Sequence, residues 1–137
     1  MLNFSISELC YSDIAKKYGI KNIPSISECD NLLNLIFYVL QPLRDKLGKP
    51  IIINSGYRCK ALNCKVGGVA NSQHLLGQAA DIRVNGCNVN TLIDFIKTSG
   101  IEYDQLINEG SWVHISYNKN FNRKENLKYI NGKYFKV

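Results

Sequence analysis

The stretch Ser72-Gln73-His74-Leu75-Leu76-Gly77-Gln78-Ala79-Ala80-Asp81-Ile82-Arg83-Val84 runs from a polar, glycine-bearing loop into an apolar segment. Ala80-Asp81-Ile82-Arg83-Val84 reads as a strand, with Asp81 at its start and His74 on the loop before it. Upstream, Pro50-Ile51-Ile52-Ile53-Asn54 is a second buried strand. A polar, glycine-rich connection over 55–78 joins the two, and connections of that length are commonly functional. Downstream, Tyr103–Glu109 and Trp112–Tyr117 flank Gly110-Ser111 and predict a tight hairpin. Asn131-Gly132, set between Tyr129-Ile130 and Lys133-Tyr134, fits the type I′ turn of a last hairpin.

Helices fill the N-terminal part. Ser5-Ile6-Ser7-Glu8 has capping-box spacing, and Ser12 or Asp13 opens another short helix ending at Gly19. Ser25-Ile26-Ser27-Glu28 repeats the spacing ahead of Leu32, Leu33, Ile36, Val39, Leu40, Leu43 and Leu47, which recur at helical steps. Pro42 is expected to kink that helix and Gly48 to end it. Asn90 is expected to cap a helix through Lys97, stopped by Gly100. Helices first and antiparallel strands later give the α+β class. The expected architecture is a single domain, 1–137, with N-terminal helices packed on a small, mainly antiparallel sheet.

The bulk numbers agree with that class. The chain has 137 residues with 45% hydrophobic and 20% charged side chains, which excludes wholesale disorder and collagen-like structure. No apolar run approaches the ~18 residues of a membrane span. Met1-Leu2-Asn3-Phe4-Ser5 lacks a basic region followed by an apolar one, so synthesis in the cytoplasm without a signal peptide is expected. Five cysteines cannot all pair within one chain, and reduced thiols are the simplest reading. Cys59 and Cys64 are close enough for a local disulfide, and their spacing is a weak metal signal. The net charge of +6 is dispersed rather than gathered into a stripe. It suits an anionic wall polymer. The aromatics Tyr117, Phe121, Tyr129, Tyr134 and Phe135, set among C-terminal lysines, keep nucleic-acid binding as a minor alternative.

Only two histidines are present, His74 and the one in Trp112-Val113-His114-Ile115-Ser116. A catalytic zinc takes three protein ligands and leaves a fourth position for water. His74, Asp81 and His114 would supply two imidazoles and one carboxylate. Spacing alone favours the plainer roles, a loop histidine at 74 and a hydrogen-bonded sheet histidine at 114.

Ser55-Gly56-Tyr57-Arg58, then Ser72-x-His74-x-x-Gly77-x-Ala79-Ala80-Asp81-Ile82, then Trp112-Val113-His114-Ile115-Ser116, resemble in order the zinc D-alanyl-D-alanine carboxypeptidase family, from about Ser5 to Tyr117. That family includes cell-wall carboxypeptidases, dipeptidases and phage endolysins. The resemblance implies a hedgehog/DD-peptidase-like fold, Zn2+ held by His74, Asp81 and His114, and Arg58 as a substrate anchor. It implies that Ser72 bonds substrate or braces the zinc loop. The implied substrate is a peptidoglycan stem peptide, with no nucleic acid and a monomeric state. An endolysin released to the wall by a holin would reconcile that substrate with cytoplasmic synthesis.

One departure stands out. Many members place an acidic base three residues before the last histidine ligand, where this chain has Ser111. If Gly110-Ser111 is a two-residue turn, Glu109 faces Trp112 and Ile107 faces His114. Gln105, Glu109, Trp112 and His114 then share one face. Glu109 becomes the expected base, with Gln105 and Trp112 as substrate contacts. A one-residue slip would favour Asp104. Loss of the base would leave the alternative function, a non-catalytic, zinc-containing wall-binding module.

Overall fold

Serines open each of the first three helices in the computed structural model, which describes residues 2–137. Ser5 caps α1 (Ile6–Cys10), and Ser12 caps α2 (Asp13–Lys17). Ser25 caps α3 (Ile26–Leu35) in a complete capping box: Glu28 N–H donates to Ser25 Oγ at 3.2 Å, and Ser25 N–H donates to Glu28 Oε1 at 2.9 Å.

The long periodic segment is not one kinked α-helix. It passes from α3 through a π-helical turn, Ile36–Leu40, into α4 (Gln41–Leu47). Pro42 explains this. It has no N–H to give, and its ring crowds the carbonyl one turn back. The wider turn, in which Gln41 N–H reaches Ile36 O, makes room ahead of it. The core stripe survives, with Leu32, Leu35, Ile36, Val39, Leu40 and Leu43 all buried. Leu33 lies off the stripe and is half-exposed, because Leu32, Leu35 and Ile36 already take the inward face. Gly48 ends α4 at φ 66°.

The remaining elements are β1 (Ile52–Ser55), α5 (Lys60–Lys65), β2 (Ala79–Arg83), α6 (Val89–Thr98), β3 (Gln105–Asn108), β4 (Val113–Ser116), β5 (Glu125–Ile130) and β6 (Lys133–Lys136). The connection over 55–78 therefore carries structure: α5, and a 3-10 turn at Gln73–Leu76. The cap of α6 is Asn88, whose Oδ1 accepts from Thr91 N–H, rather than Asn90, which instead accepts from Asn108. Asp81 stands in the middle of β2, one position deeper than the sequence placed it.

The six strands form one sheet in the order β1-β2-β4-β3-β5-β6. Every neighbouring pair is antiparallel except β3 and β5, which run parallel. Asn131 and Gly132 both have positive φ (48° and 82°), as the type I′ turn between β5 and β6 requires.

Alternation along the central strands separates two faces. Ala80 and Ile82 of β2, Leu106 of β3, and Val113 and Ile115 of β4 join one hydrophobic cluster with α3, α4 and α6. Asp81, Gln105, Ile107 and His114 point the other way, into an open cavity. No helix among the described residues is long and apolar enough to cross a membrane.

Gly77 ends the 3-10 turn at φ +74°, where a Cβ would stand 2.6 Å from the Glu28 carbonyl oxygen. Gly77→Ala is expected to lower the unfolding free energy by about 2 kcal/mol or more, read by urea denaturation.

Candidate metal centre and cleft

Asp81 and His114 face each other directly across β2 and β4. His114 Nδ1 lies 3.1 Å from Asp81 Oδ1. His74 arrives from the 3-10 turn, and its Nε2 lies 3.2 Å from the same oxygen. One nitrogen or oxygen from each of the three residues falls within 4.8 Å of the others. All three residues are buried.

Backbone contacts fix the His74 ring. Arg58 N–H donates to the His74 carbonyl at 3.0 Å, and His74 Nδ1 meets the Gly56 carbonyl at 2.6 Å. Ser72 Oγ accepts from His74 N–H at 3.1 Å and so braces the turn from below. A carbonyl only accepts, so Nδ1 carries a proton, and Nε2 is the nitrogen turned toward Asp81.

Three side chains thus bring one potential ligand atom each to a common point. Two imidazole nitrogens and a carboxylate oxygen are borderline donors that suit zinc. Burial alone would raise the Asp81 pKa, but hydrogen bonds and charge from His114 and His74 outweigh it and hold the carboxyl well below the usual range. Asp81 is therefore held in its ionised form.

The cluster forms part of the lining of a cavity of about 560 Å³ that also exposes Arg58, Ser72, Gln105, Glu109 and Trp112. Ile107 pairs with His114, and Glu109 N–H bonds the Trp112 carbonyl at 3.0 Å, the register that puts Glu109 diagonal to His114. Burial pushes the Glu109 pKa up. His114 is the first influence opposing the rise; Asp81 adds to it, and Tyr134 and Arg58 moderate it.

Arg58 is held on three sides. Its Nε donates to Ser55 Oγ (3.1 Å), one terminal nitrogen to Asn63 Oδ1 (3.0 Å), and the other reaches Asp81 Oδ2 (3.5 Å). Gln105 donates to Glu125 Oε1 at 2.7 Å. Asp104 does not line the cavity. It is buried in a fork with Arg123, at 2.9 and 2.8 Å, and accepts from Gln73. Its pKa is lowered, chiefly by the Arg123 hydrogen bond. Cys59 and Cys64 are free thiols, as are the other three, and join no three-residue metal cluster among the described residues.

Sequence reasoning missed several lining residues, Gln73, Arg123, Tyr129 and Tyr134. It also missed Asn63, which lies on α5 inside the stretch read as a loop and holds Arg58 from behind the lining. The Asn-Gly turn was signal enough to pair Tyr129 with Tyr134. Nothing local says that their hairpin docks beside β3.

A family model described as Peptidase M15 matches residues 2–116. The zinc D-Ala-D-Ala carboxypeptidase of Streptomyces albus G is 37% identical over 84 residues, 59% of this chain. The chain spans 31% of the length of that relative. The family match ends with β4, so the β5–β6 hairpin lies beyond it.

Two outcomes are expected. Zinc should bind at one ion per chain and stabilise the fold, by about 2.7 kcal/mol at a free concentration 100 times Kd, with both effects lost in His114→Ala; titration calorimetry and melting scans read this. Asp104, with its depressed folded pKa, contributes stability above its unfolded value of about 3.9, and that contribution is lost as pH falls below it. Asp104→Asn should therefore be less stable at neutral pH and lose less on acidification, seen in melting temperature against pH.

Proposed function

The chain belongs to the Peptidase M15 family, and on that premise we propose that it is a zinc peptidase hydrolysing an amide bond in peptidoglycan stem peptides. The observation that carries this reading is the convergence of His74, Asp81 and His114 on one point, inside a cavity shared with Glu109 and Arg58. The similarity to a zinc D-Ala-D-Ala carboxypeptidase supports the choice of metal and substrate class.

His74, Asp81 and His114 would hold the ion. Zinc in such a site supplies a Lewis acid that makes water acidic near neutral pH and polarises a carbonyl. Glu109, its pKa raised by burial, accepts a proton from the attacking water and returns it to the departing amine nitrogen. Arg58 is held by Ser55 and Asn63. Its fork either grips a substrate carboxylate or offsets negative charge growing on the carbonyl oxygen. Gly56 orients the His74 ring through Nδ1. Trp112 and Gln105 contact the bound peptide.

Ser111 in place of an acidic residue favours the alternative, a wall-binding module that keeps the metal and has lost the base. The position of Glu109 in the cavity supports the enzyme reading over it. D-Ala-D-Ala carboxypeptidase and endolysin-type endopeptidase chemistry both fit these residues, and the released products separate them.

The zinc-loaded protein should release peptides from purified peptidoglycan, with a chelator abolishing release and mass spectrometry identifying the bond. Failure to release any peptide would leave only the binding module. Glu109→Gln is expected to retain zinc and to lose about 10²–10⁴-fold in kcat. Full activity in that variant would remove Glu109 from the mechanism.

A further inference from the structure

Glu109 lies just past the end of β3, ahead of Gly110 at φ +93°. Its only backbone tie to the turn is the bond from its N–H to Trp112. The strand alone therefore does little to fix where the carboxylate points, and a general base must be held within hydrogen-bond reach of its target.

The β5–β6 hairpin, beyond the family match, supplies what the turn lacks. It is docked firmly. β5 pairs with β3 from Gln105↔Glu125 to Asn108↔Lys128. Tyr103 hydroxyl donates to Asn126 at 2.6 Å, Gln105 to Glu125 at 2.7 Å, and Arg123 forks onto Asp104. Within the hairpin Tyr129 and Tyr134 are direct cross-strand partners, their ring centroids 4.9 Å apart. Both rings line the cavity with Glu109 and His114. The Tyr134 ring and the Glu109 carboxylate share that cavity, near enough for each to influence the other's protonation. A phenol donates and an ionised carboxylate accepts, so a hydrogen bond between the two would favour the form of Glu109 that can take a proton.

We propose that Tyr134 is a positioning residue for Glu109, delivered to the cleft by a hairpin that the family match does not include. This rests on the reading of Glu109 as the base. Tyr129 buttresses the Tyr134 ring. The hydroxyl aims the carboxylate toward the His74–Asp81–His114 cluster.

Tyr134→Phe removes the hydroxyl alone, on a strand exposed along its whole length, so the fold should tolerate it. With zinc loaded, and on a peptide that the wild type cleaves, kcat should fall about tenfold, the scale of one hydrogen bond to a charged group, with KM within about twofold. The melting temperature and its rise with zinc should not change. In a Glu109→Gln background the same substitution should cost nothing further. An unchanged kcat in Tyr134→Phe, or an equal loss in both backgrounds, would overturn the proposal. One readout is independent of turnover. The carboxyl-carbon NMR resonance of Glu109, assigned by its disappearance in Glu109→Gln, should move in Tyr134→Phe. A resonance that stays put overturns the role of Tyr134 even if the wild type cleaves. A wild type that cleaves nothing overturns the proposed function, while the resonance still decides whether the contact exists.

Discussion

One imidazole ring ties the cleft together. His74 gives Nδ1 to the Gly56 carbonyl and Nε2 to Asp81, so a single side chain joins the turn after β1 to the middle of β2. The turn is in its own right pressed against the first helix: Tyr57 N–H bonds the Leu9 carbonyl at 2.7 Å, and a side chain at Gly56 would run into the Leu9 backbone. Glycine at 56 is thus a requirement of close approach, and α1, which carries no cleft residue, is part of what holds His74 in place. Arg58 follows two residues after Gly56 and returns a backbone hydrogen bond to His74. The guanidinium and the ring are consequently positioned by the same short segment. Displacement of either would be felt by the other.

What could be read from the chain divides along the range of the interactions involved. Ser25 with Glu28, Gly48, Gly110-Ser111 and Asn131-Gly132 act within a few residues, and each does in the fold what its local chemistry dictates. The placement of Glu109 beside His114 was legible for the same reason, since a two-residue turn sets the register of the strands it joins. The helix at Lys60–Lys65 was not legible. It buries only Leu62 and Asn63, too little to leave an apolar period. The π turn was half legible, because Pro42 announces a disturbance but not its form. The parallel pairing of β3 with β5 left no local trace, and with it went the tyrosines of the cleft. Asn88 and Asn90 are the same residue type two positions apart, so sequence could not choose the cap between them.

The two faces of the sheet divide the work. Ala80, Ile82, Val113 and Ile115 face the helices, and their neighbours Asp81 and His114 face the cavity. Stability is concentrated on one side, which leaves the other free to collect charged and polar groups that a core would reject. The cost of gathering Asp81 and Arg58 in a partly buried cleft is offset locally, because each has several hydrogen-bonding partners.

The proposed donors are two nitrogens and one oxygen. None is sulfur, although the chain carries five free thiols. Oxidants that eject zinc from thiolate sites act by converting the ligand sulfur itself. They would find no such target here, and the metal's retention would not depend on the redox state of the surroundings. The same sulfur-free set is less selective, since nitrogen and oxygen donors also accept cobalt, nickel or manganese. Which ion occupies the cleft would then be decided by metal supply as much as by the protein.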